Sequence, residues 1–140
     1  MTPDLQSLVG QPLRSIEKKD YSWSFIFDDD AEIIADAPWR FVTPEGIYVA
    51  SEDHGEPFGL PAPIDAAEIL RAAVAGLLVT AAVIHPVTGD FTITFTEDSE
   101  LQILQTSCGY EAWRLHLAGT ETICRGGGEL ATLSHLKVVK

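Results

Sequence analysis

The chain has 140 residues, of which 46% are hydrophobic and 21% are charged, a composition typical of one folded domain with a sizeable core. Its formal net charge is −12, and residues 1–70 hold 14 acids against 4 bases. A field of this sign repels phosphate backbones and anionic lipids, so nucleic acid and membrane surfaces are excluded as expected partners and a basic protein is favoured. The simpler alternative is that the acids only keep a small protein soluble.

The sequence shows no export signal and no membrane span. No basic segment precedes an apolar run at the start, and the longest apolar run, residues 72–84, is interrupted by Thr80. That run is shorter than the roughly 18 residues that a spanning helix needs. We therefore expect a cytoplasmic protein, in which Cys108 and Cys124 are reduced thiols.

One stretch of the sequence occurs twice. Residues 25–33 and 93–101 align at an offset of 68, and each is followed by a Trp-Arg pair, at 39–40 and at 113–114. Because a repeated segment meets the same demand for a buried face, it is interpreted as one structural unit used twice. The sequence thus predicts a single domain over 1–140 with an internal duplication, about 13–41 and 81–115.

Each copy is predicted to be a three-stranded antiparallel meander. In copy one, Trp23, Phe25 and Phe27 follow the period-two pattern of a strand with one buried face, and an acidic turn at 28–30 follows them. Copy two repeats this pattern with a turn at 96–99. The predicted strands are 13–17, 22–27 and 32–35 in copy one, and 81–85, 91–95 and 100–104 in copy two.

A loop and a helix are predicted between the two copies. Residues 51–64 are rich in proline and glycine and are predicted to be a long linker loop. Asp65 has the character of an N-cap, with Glu68 three residues on, and apolar residues then recur at helical spacing. Gly76 is placed to end this helix, which is predicted over 65–76.

The C-terminal third is predicted to be strands joined by tight turns. Trp113, Leu115 and Leu117 alternate with polar or small residues, and two further strands follow at 122–124 and 129–133. Between them, residues 126–128 are three glycines, which we interpret as a turn because the Lys-Ser/Thr of a phosphate-binding loop is absent. The predicted fold class is α+β, mainly antiparallel β: two repeated meanders linked by one helix, with extra C-terminal strands, in one sheet or in two packed sheets.

Cofactor and catalytic signatures are weak. The four histidines lie in separate segments without zinc-ligand spacing, and residues 28–32 lack the glycine and the closing acid of a calcium loop. We expect no cofactor, no metal and no enzymatic activity. The alternative is a small enzyme or ligand-binding domain with a site near Cys108, Tyr110 and Glu111, and a structural module is a third possibility.

The acids are densest between residues 28 and 56, where nine acids accompany one base, Arg40. Acidic side chains on an interface speed encounter with a basic partner and mimic the anion that the partner binds. The sequence therefore predicts a partner-binding surface in this region. Its predicted members are Asp28, Asp29, Asp30, Glu32, Glu45, Glu52, Asp53 and Glu56.

A family resemblance rests on a short set of residues. Tyr110-Glu111-Ala112-Trp113, then Cys124, then Gly127-Gly128-Glu129-Leu130, with the Pro38-Trp39-Arg40 element upstream, resembles a family of small bacterial proteins of unknown function. The resemblance covers roughly residues 8 to 133 and carries no catalytic role. It implies a fold and a context, because small acidic proteins of this kind resemble immunity proteins that neutralise a toxin by protein–protein interaction.

Overall fold

The computed structural model describes residues 3–28 and 30–134. Within these ranges the chain forms eleven strands and one α-helix, with short 3-10 turns between some of them. The helix, α1, is Ala66–Val74. The strands are β1 (Leu13–Lys19), β2 (Ser22–Phe27), β3 (Glu32–Ala35), β4 (Trp39–Thr43), β5 (Gly46–Ala50), β6 (Val79–Ile84), β7 (Phe91–Phe95), β8 (Ser99–Ile103), β9 (Trp113–Leu117), β10 (Thr120–Cys124) and β11 (Leu130–Ser134).

The strands form two antiparallel sheets. The six-stranded sheet has the order β1-β2-β3-β9-β10-β11, and the five-stranded sheet has the order β5-β4-β8-β7-β6. The mainly antiparallel α+β class predicted from the alternating residues is confirmed. Each predicted meander, β1-β2-β3 and β6-β7-β8, lies in a different sheet.

The two halves of the chain exchange strands. The β4–β5 hairpin of the first half pairs with β8 of the second, while β9 and β10 of the second half extend the sheet from β3 of the first. At one junction Ile33 is opposite Leu115, and at the other Leu101 is opposite Phe41. These positions are related by the offsets of 68 and 74 seen in the sequence, so the two junctions have equivalent registers.

The first strand of copy two was placed two residues too late. Leu13 is opposite Phe27 in β1–β2, and Val79 is opposite Phe95 in β6–β7, so the first strands correspond at an offset of 66. The strand predicted at 81–85 is present as β6, but β6 begins two residues earlier, at Val79, because the β6–β7 loop is longer than the β1–β2 turn. A shift of two residues keeps every side chain on the same face, so the alternating pattern does not distinguish the two offsets.

Aromatic rings from both sheets meet in the core. Trp39 of β4 packs edge-on against Trp23 of β2, with ring centroids 5.1 Å apart, and against Phe25 at 5.6 Å. In the other half Phe91 of β7 packs on Trp113 of β9 at 4.8 Å. All five rings are buried, as the alternating patterns around Trp23 and Trp113 predicted for those two side chains.

Helix α1 packs against the outer strands β1 and β5, one from each sheet. Asp65 caps its first turn, since the Oδ1 atom accepts a hydrogen bond of 3.1 Å from the Glu68 amide. The helix side chains of Leu70 and Val74 are buried. The predicted cap is confirmed, and the helix ends at Val74, two residues before Gly76, which has a positive φ of 81°.

Candidate functional site

The structure places the predicted acidic residues on three separate segments. Four of them belong to the β2–β3 turn and its flank, at 28–32, although Asp29 lies outside the described residues. Glu45 lies in the β4–β5 turn. Glu52, Asp53 and Glu56 follow β5, at the other end of the β4–β5 hairpin. The seven described members of this set therefore do not form one continuous surface.

In the β2–β3 turn one charged side chain, that of Asp28, is held by a neighbour. The Phe27 amide donates to the Ala31 carbonyl at 2.8 Å, and Asp30 has a positive φ of 62°. Asp28 forms an ion pair with Arg14 at the start of β1, with a second hydrogen bond of 3.3 Å from Arg14 Nη2. The pKa of Arg14 is raised, mainly by its hydrogen bond to Asp28 and also by the charge of that carboxylate.

Glu32 faces outward from the six-stranded sheet. It accepts a hydrogen bond from the hydroxyl of Ser24, and its Oε1 lies 3.9 Å from Nδ1 of His116 on β9. His116 also lies against Glu121, with Nε2 and Oε2 3.1 Å apart. Glu32 is thus part of a polar row along the sheet face and is set apart from the turn.

The β7–β8 turn is the counterpart of the β2–β3 turn in the second half, and sequence analysis did not include it in the site. Phe95 is opposite Ser99, with residues 96–98 between them. Glu97 and Asp98 both have left-handed backbones, with φ of 68° and 59°. Both are exposed acids, and no base occurs in the turn. The repeat itself was the signal that would have revealed them, since they align with Asp29 and Asp30.

Backbone contacts bring these two turns to the same end of the molecule. Leu13 lies opposite Phe27, and two residues earlier the Gln11 carbonyl accepts from the Val79 amide at 2.9 Å. Val79 is opposite Phe95, and the Thr96 amide donates to the Leu78 carbonyl at 2.9 Å. At about 5 Å per strand spacing and 3.3 Å per residue, this path places the turns within roughly 20 Å of each other.

The β4–β5 turn lies beside the β7–β8 turn. Val42 is opposite Glu100, and a groove of about 270 Å³ runs between the two turns and the end of α1. Phe41 and Leu77 contribute apolar walls, and Tyr48 stands on the groove with 60% of its surface exposed. Glu45 sits in the turn that borders this groove. The groove therefore adds apolar surface to an acidic region.

These turns define the acidic end of the molecule, and the name is used below for five described residues. No lysine or arginine occurs in turns 28–30, 44–45 or 96–98, and Arg14, which lies nearby, is already paired with Asp28. The five acids are Asp28, Asp30, Glu45, Glu97 and Asp98.

Glu52, Asp53 and Glu56 lie at the opposite end of the β4–β5 hairpin, about 16 Å from Glu45 for a five-residue strand. Asp53 has a structural role there, because its Oδ2 atom accepts a 2.9 Å hydrogen bond from the Ala50 amide. Glu52 and Glu56 are exposed. They carry charge of the same sign but belong to a different surface.

The alternative site around Cys108 is a shallow polar cavity. A space of about 350 Å³ is lined by Cys108, Glu111 and Arg125, while Tyr110 points away with 81% of its surface exposed. The hydroxyl of Ser107 accepts hydrogen bonds from the amides of Gly109 and Tyr110. Among the described hydrogen bonds none joins Cys108 to a histidine or a carboxylate.

Trp113, Cys124 and Gly128, from the motif at 110–130, all contact the loop between β6 and β7. The indole Nε1 of Trp113 donates to the Gly89 carbonyl at 2.8 Å, and the Cys124 thiol lies 3.7 Å from the same oxygen. Gly128 packs so closely on Thr88 that a methyl group would overlap the Thr88 carbonyl. These residues thus have a packing role, and the three glycines form the turn between β10 and β11.

The two cysteines are free thiols in different environments. Cys108 is exposed, whereas Cys124 is buried. Burial raises the pKa of Cys124 to about 11, against a smaller lowering by the hydrogen bond from Gln105, while the charge of Asp90 raises it further. Cys124 is therefore a packing residue and not a nucleophile at neutral pH.

Ligand sets for metals were sought across the described part of the chain. No group of three or more histidine, cysteine, aspartate or glutamate residues is placed there to hold a metal ion. Within residues 3–28 and 30–134, no helix has the length and apolar character required to cross a membrane. The features that remain for a functional site are the acidic end, its adjoining grooves and the Cys108 cavity.

Comparison with protein-family models, with curated proteins and with solved structures finds no match to this chain.

Proposed function

We propose that the protein binds a basic protein partner through its acidic end, and most concretely that it is a cytoplasmic immunity protein that neutralises a toxin. The observation that carries this proposal is the convergence of acidic turns from both halves of the chain. Five acids from three turns face one end of the molecule, and the adjacent base is already paired. Clustered charge of one sign accelerates encounter with a partner of opposite sign.

The backbone of the β7–β8 turn supports a functional role for its charges. Left-handed residues are usually glycine or asparagine, because a Cβ atom in that conformation costs about 1 kcal/mol. This turn has Glu97 and Asp98 at two successive left-handed positions. Aspartate tolerates this conformation, but glutamate is not among the residues that favour it, so the acid at Glu97 is not explained by turn chemistry.

The groove beside the turn gives the surface an anchor point. Binding energy in protein interfaces concentrates in apolar pockets near the centre, surrounded by polar residues that exclude water. The 270 Å³ groove has that composition, with Phe41 and Leu77 in its walls, Tyr48 exposed and Glu97 at the margin. It is the right size for one aromatic or aliphatic side chain of the partner.

Recovery of the partner tests the proposal. The protein is purified from its native host at low salt, and bound proteins are identified by mass spectrometry. The expected partner is basic, and its gene product alone should arrest growth of a test host that the present protein rescues. Rescue should weaken when Asp28, Asp29 and Asp30 are replaced together by asparagine. Absence of rescue by the unmodified protein would remove the immunity role.

We also infer that the two halves arose from one duplicated unit. The support is the equivalence of the two sheet junctions, where Ile33–Leu115 and Leu101–Phe41 follow the same pair of offsets. Superposition of residues 13–35 on 79–103 in an experimental structure tests this inference. Different strand order or direction in the two segments would overturn it.

A further inference from the structure

Strand β6 is an edge of the five-stranded sheet, bonded on its outer side to the segment before β1 only at Val79 among the described residues. Its sequence, Val79–Ile84, contains no charged residue, although the chain carries a net charge of −12. Natural proteins usually blunt such edges with charges, proline or a covering element, because free backbone groups invite pairing with another strand. In the part of the chain that the structure describes, no strand pairs with the outer side of β6.

The hydrogen-bond alternation identifies the free groups of this edge. The His85 amide donates to the Asp90 carbonyl at 2.8 Å, across the end of the β6–β7 pair. In an antiparallel pair, residues alternate between bonding to the partner strand and facing away from it. Val83 and Ala81 therefore bond to β7, and Ala82 and Ile84 present their N–H and C=O groups outward.

A groove runs along this edge. It has a volume of about 460 Å³ and lies between β6 and the segment before β1, with Asp4, Leu5 and Val9 on the far wall. One end of the groove is closed where the Gly10 amide donates to the Val79 carbonyl at 2.7 Å. Val83 is 58% exposed beside it. The opposite side of the molecule differs, because α1 covers the outer strands β1 and β5 there.

Charge decides which kind of segment fits this groove. Asp4 is the one charged residue in its walls, and the start of β6 is joined to the acidic β7–β8 turn through the Thr96–Leu78 hydrogen bond. A second copy of the chain would bring another net charge of −12 to this site, which disfavours self-pairing. An extended segment with basic side chains would supply hydrogen-bond partners for the outward backbone groups of β6. It would also bring positive charge to an acidic surface.

We propose that β6 binds an extended, basic segment of the partner protein as an added strand, bonded to the outward groups of Ala82 and Ile84. This proposal rests on the proposed function, since it takes the basic partner from there. Strand addition gives affinity through backbone hydrogen bonds, and it is a general mode of peptide recognition at exposed sheet edges. The acidic end would then steer the partner and β6 would hold it.

The test uses a synthetic octapeptide of alternating lysine and valine and the full-length protein, followed by amide NMR. Binding should shift the amide signals of Ala82 and Ile84 and slow their hydrogen exchange by roughly tenfold or more, as new hydrogen bonds form. A peptide of the same sequence with N-methyl groups on every residue, so that both hydrogen-bonding edges are blocked, serves as the control and should not do so. Equal effects of both peptides would overturn strand addition.

Ala82→Pro and Ala82→Ser form a matched pair of variants. Proline removes the outward N–H and leaves the β6–β7 bonds intact, whereas serine keeps the donor. The proline variant should bind the octapeptide at least about fivefold more weakly than the serine variant, the cost of one lost hydrogen bond. Equal binding overturns the proposal, as does a dimer in sedimentation that only the proline variant breaks, because β6 would then pair with a second copy.

The experiments distinguish a failure of strand addition from a failure of the proposed function. If the acidic-end charges control association with the co-purified partner while Ala82→Pro has no effect on it, strand addition is wrong and the acidic surface stands. If Ala82→Pro weakens the octapeptide but the acidic end does not affect the partner, the edge is a peptide site and the proposed function fails.

Discussion

At the scale of single residues, the β7–β8 turn places two acidic side chains on left-handed backbone, which lowers its local stability. Glu97 and Asp98 occupy left-handed conformations that suit asparagine and glycine better. We expect Glu97→Asn with Asp98→Gly to raise the free energy of unfolding by about 1 kcal/mol, because the strain is relieved. Chemical denaturation measures this. A lower stability would show that the two side chains support the fold.

The glycines at 127 and 128 provide a matched test of packing in one turn. Both have positive φ, 81° and 99°, but a methyl group on Gly127 has its nearest neighbour at 3.9 Å, whereas one on Gly128 would overlap Thr88. Gly127→Ala should cost about 1 kcal/mol of unfolding free energy, and Gly128→Ala about 2 kcal/mol more. Equal denaturation midpoints for the two variants would contradict the close packing of this turn.

The two thiols should differ in reactivity within the same chain. Since burial raises the pKa of Cys124 to about 11, its thiolate is scarce at pH 8, whereas Cys108 is exposed. Iodoacetamide should add one label to the folded protein and two after denaturation, as counted by mass spectrometry. The folded state favours the protonated Cys124, so stability should fall as the pH rises from about 9 towards 11. Two labels on the folded protein would refute the burial of Cys124.

At the scale of elements, helix α1 depends on its cap. Asp65 accepts from the Glu68 amide and also faces the positive end of the helix dipole. Asp65→Ala should lower the free energy of unfolding by about 1 kcal/mol, while Asp65→Asn, which keeps the acceptor, should cost much less. Urea denaturation compares the three proteins. An unchanged midpoint for the alanine variant would reject the cap.

Most elements were predictable because their sequences contain local periodicity and caps. The alternation of Phe91, Ile93 and Phe95 and the cap at Asp65 act within a few residues, and both predictions are confirmed. Strand β5 was missed, although the Pro44-Glu45-Gly46 turn before an apolar run was a hairpin signal. The predicted start of β6 was two residues too late, because a shift of two residues leaves the alternating pattern unchanged.

At the scale of the whole molecule, the exchange of strands between halves decides where charges meet. Sequence analysis grouped acids by their proximity along the chain, so Glu52 and Glu56 were placed with Asp28 and Asp30. The fold separates these pairs and brings Glu97 and Asp98, nearly 70 residues away, to the acidic end. The contacts of Val79 with Gln11 and Phe95, which are distant in sequence, help to set this arrangement, and no local pattern contains them.

The association rate with the co-purified partner tests the acidic end most directly, using two variants that each remove two negative charges. Glu97→Gln with Asp98→Asn changes the acidic end, and Glu52→Gln with Glu56→Gln changes the opposite end. Measured by stopped flow at low salt, the first variant should associate at least about threefold more slowly than the unmodified protein, and the second nearly as fast. The difference should shrink as salt rises, because the screening length falls to about 8 Å at physiological ionic strength. Equal rates for the two variants would contradict recognition through the acidic end.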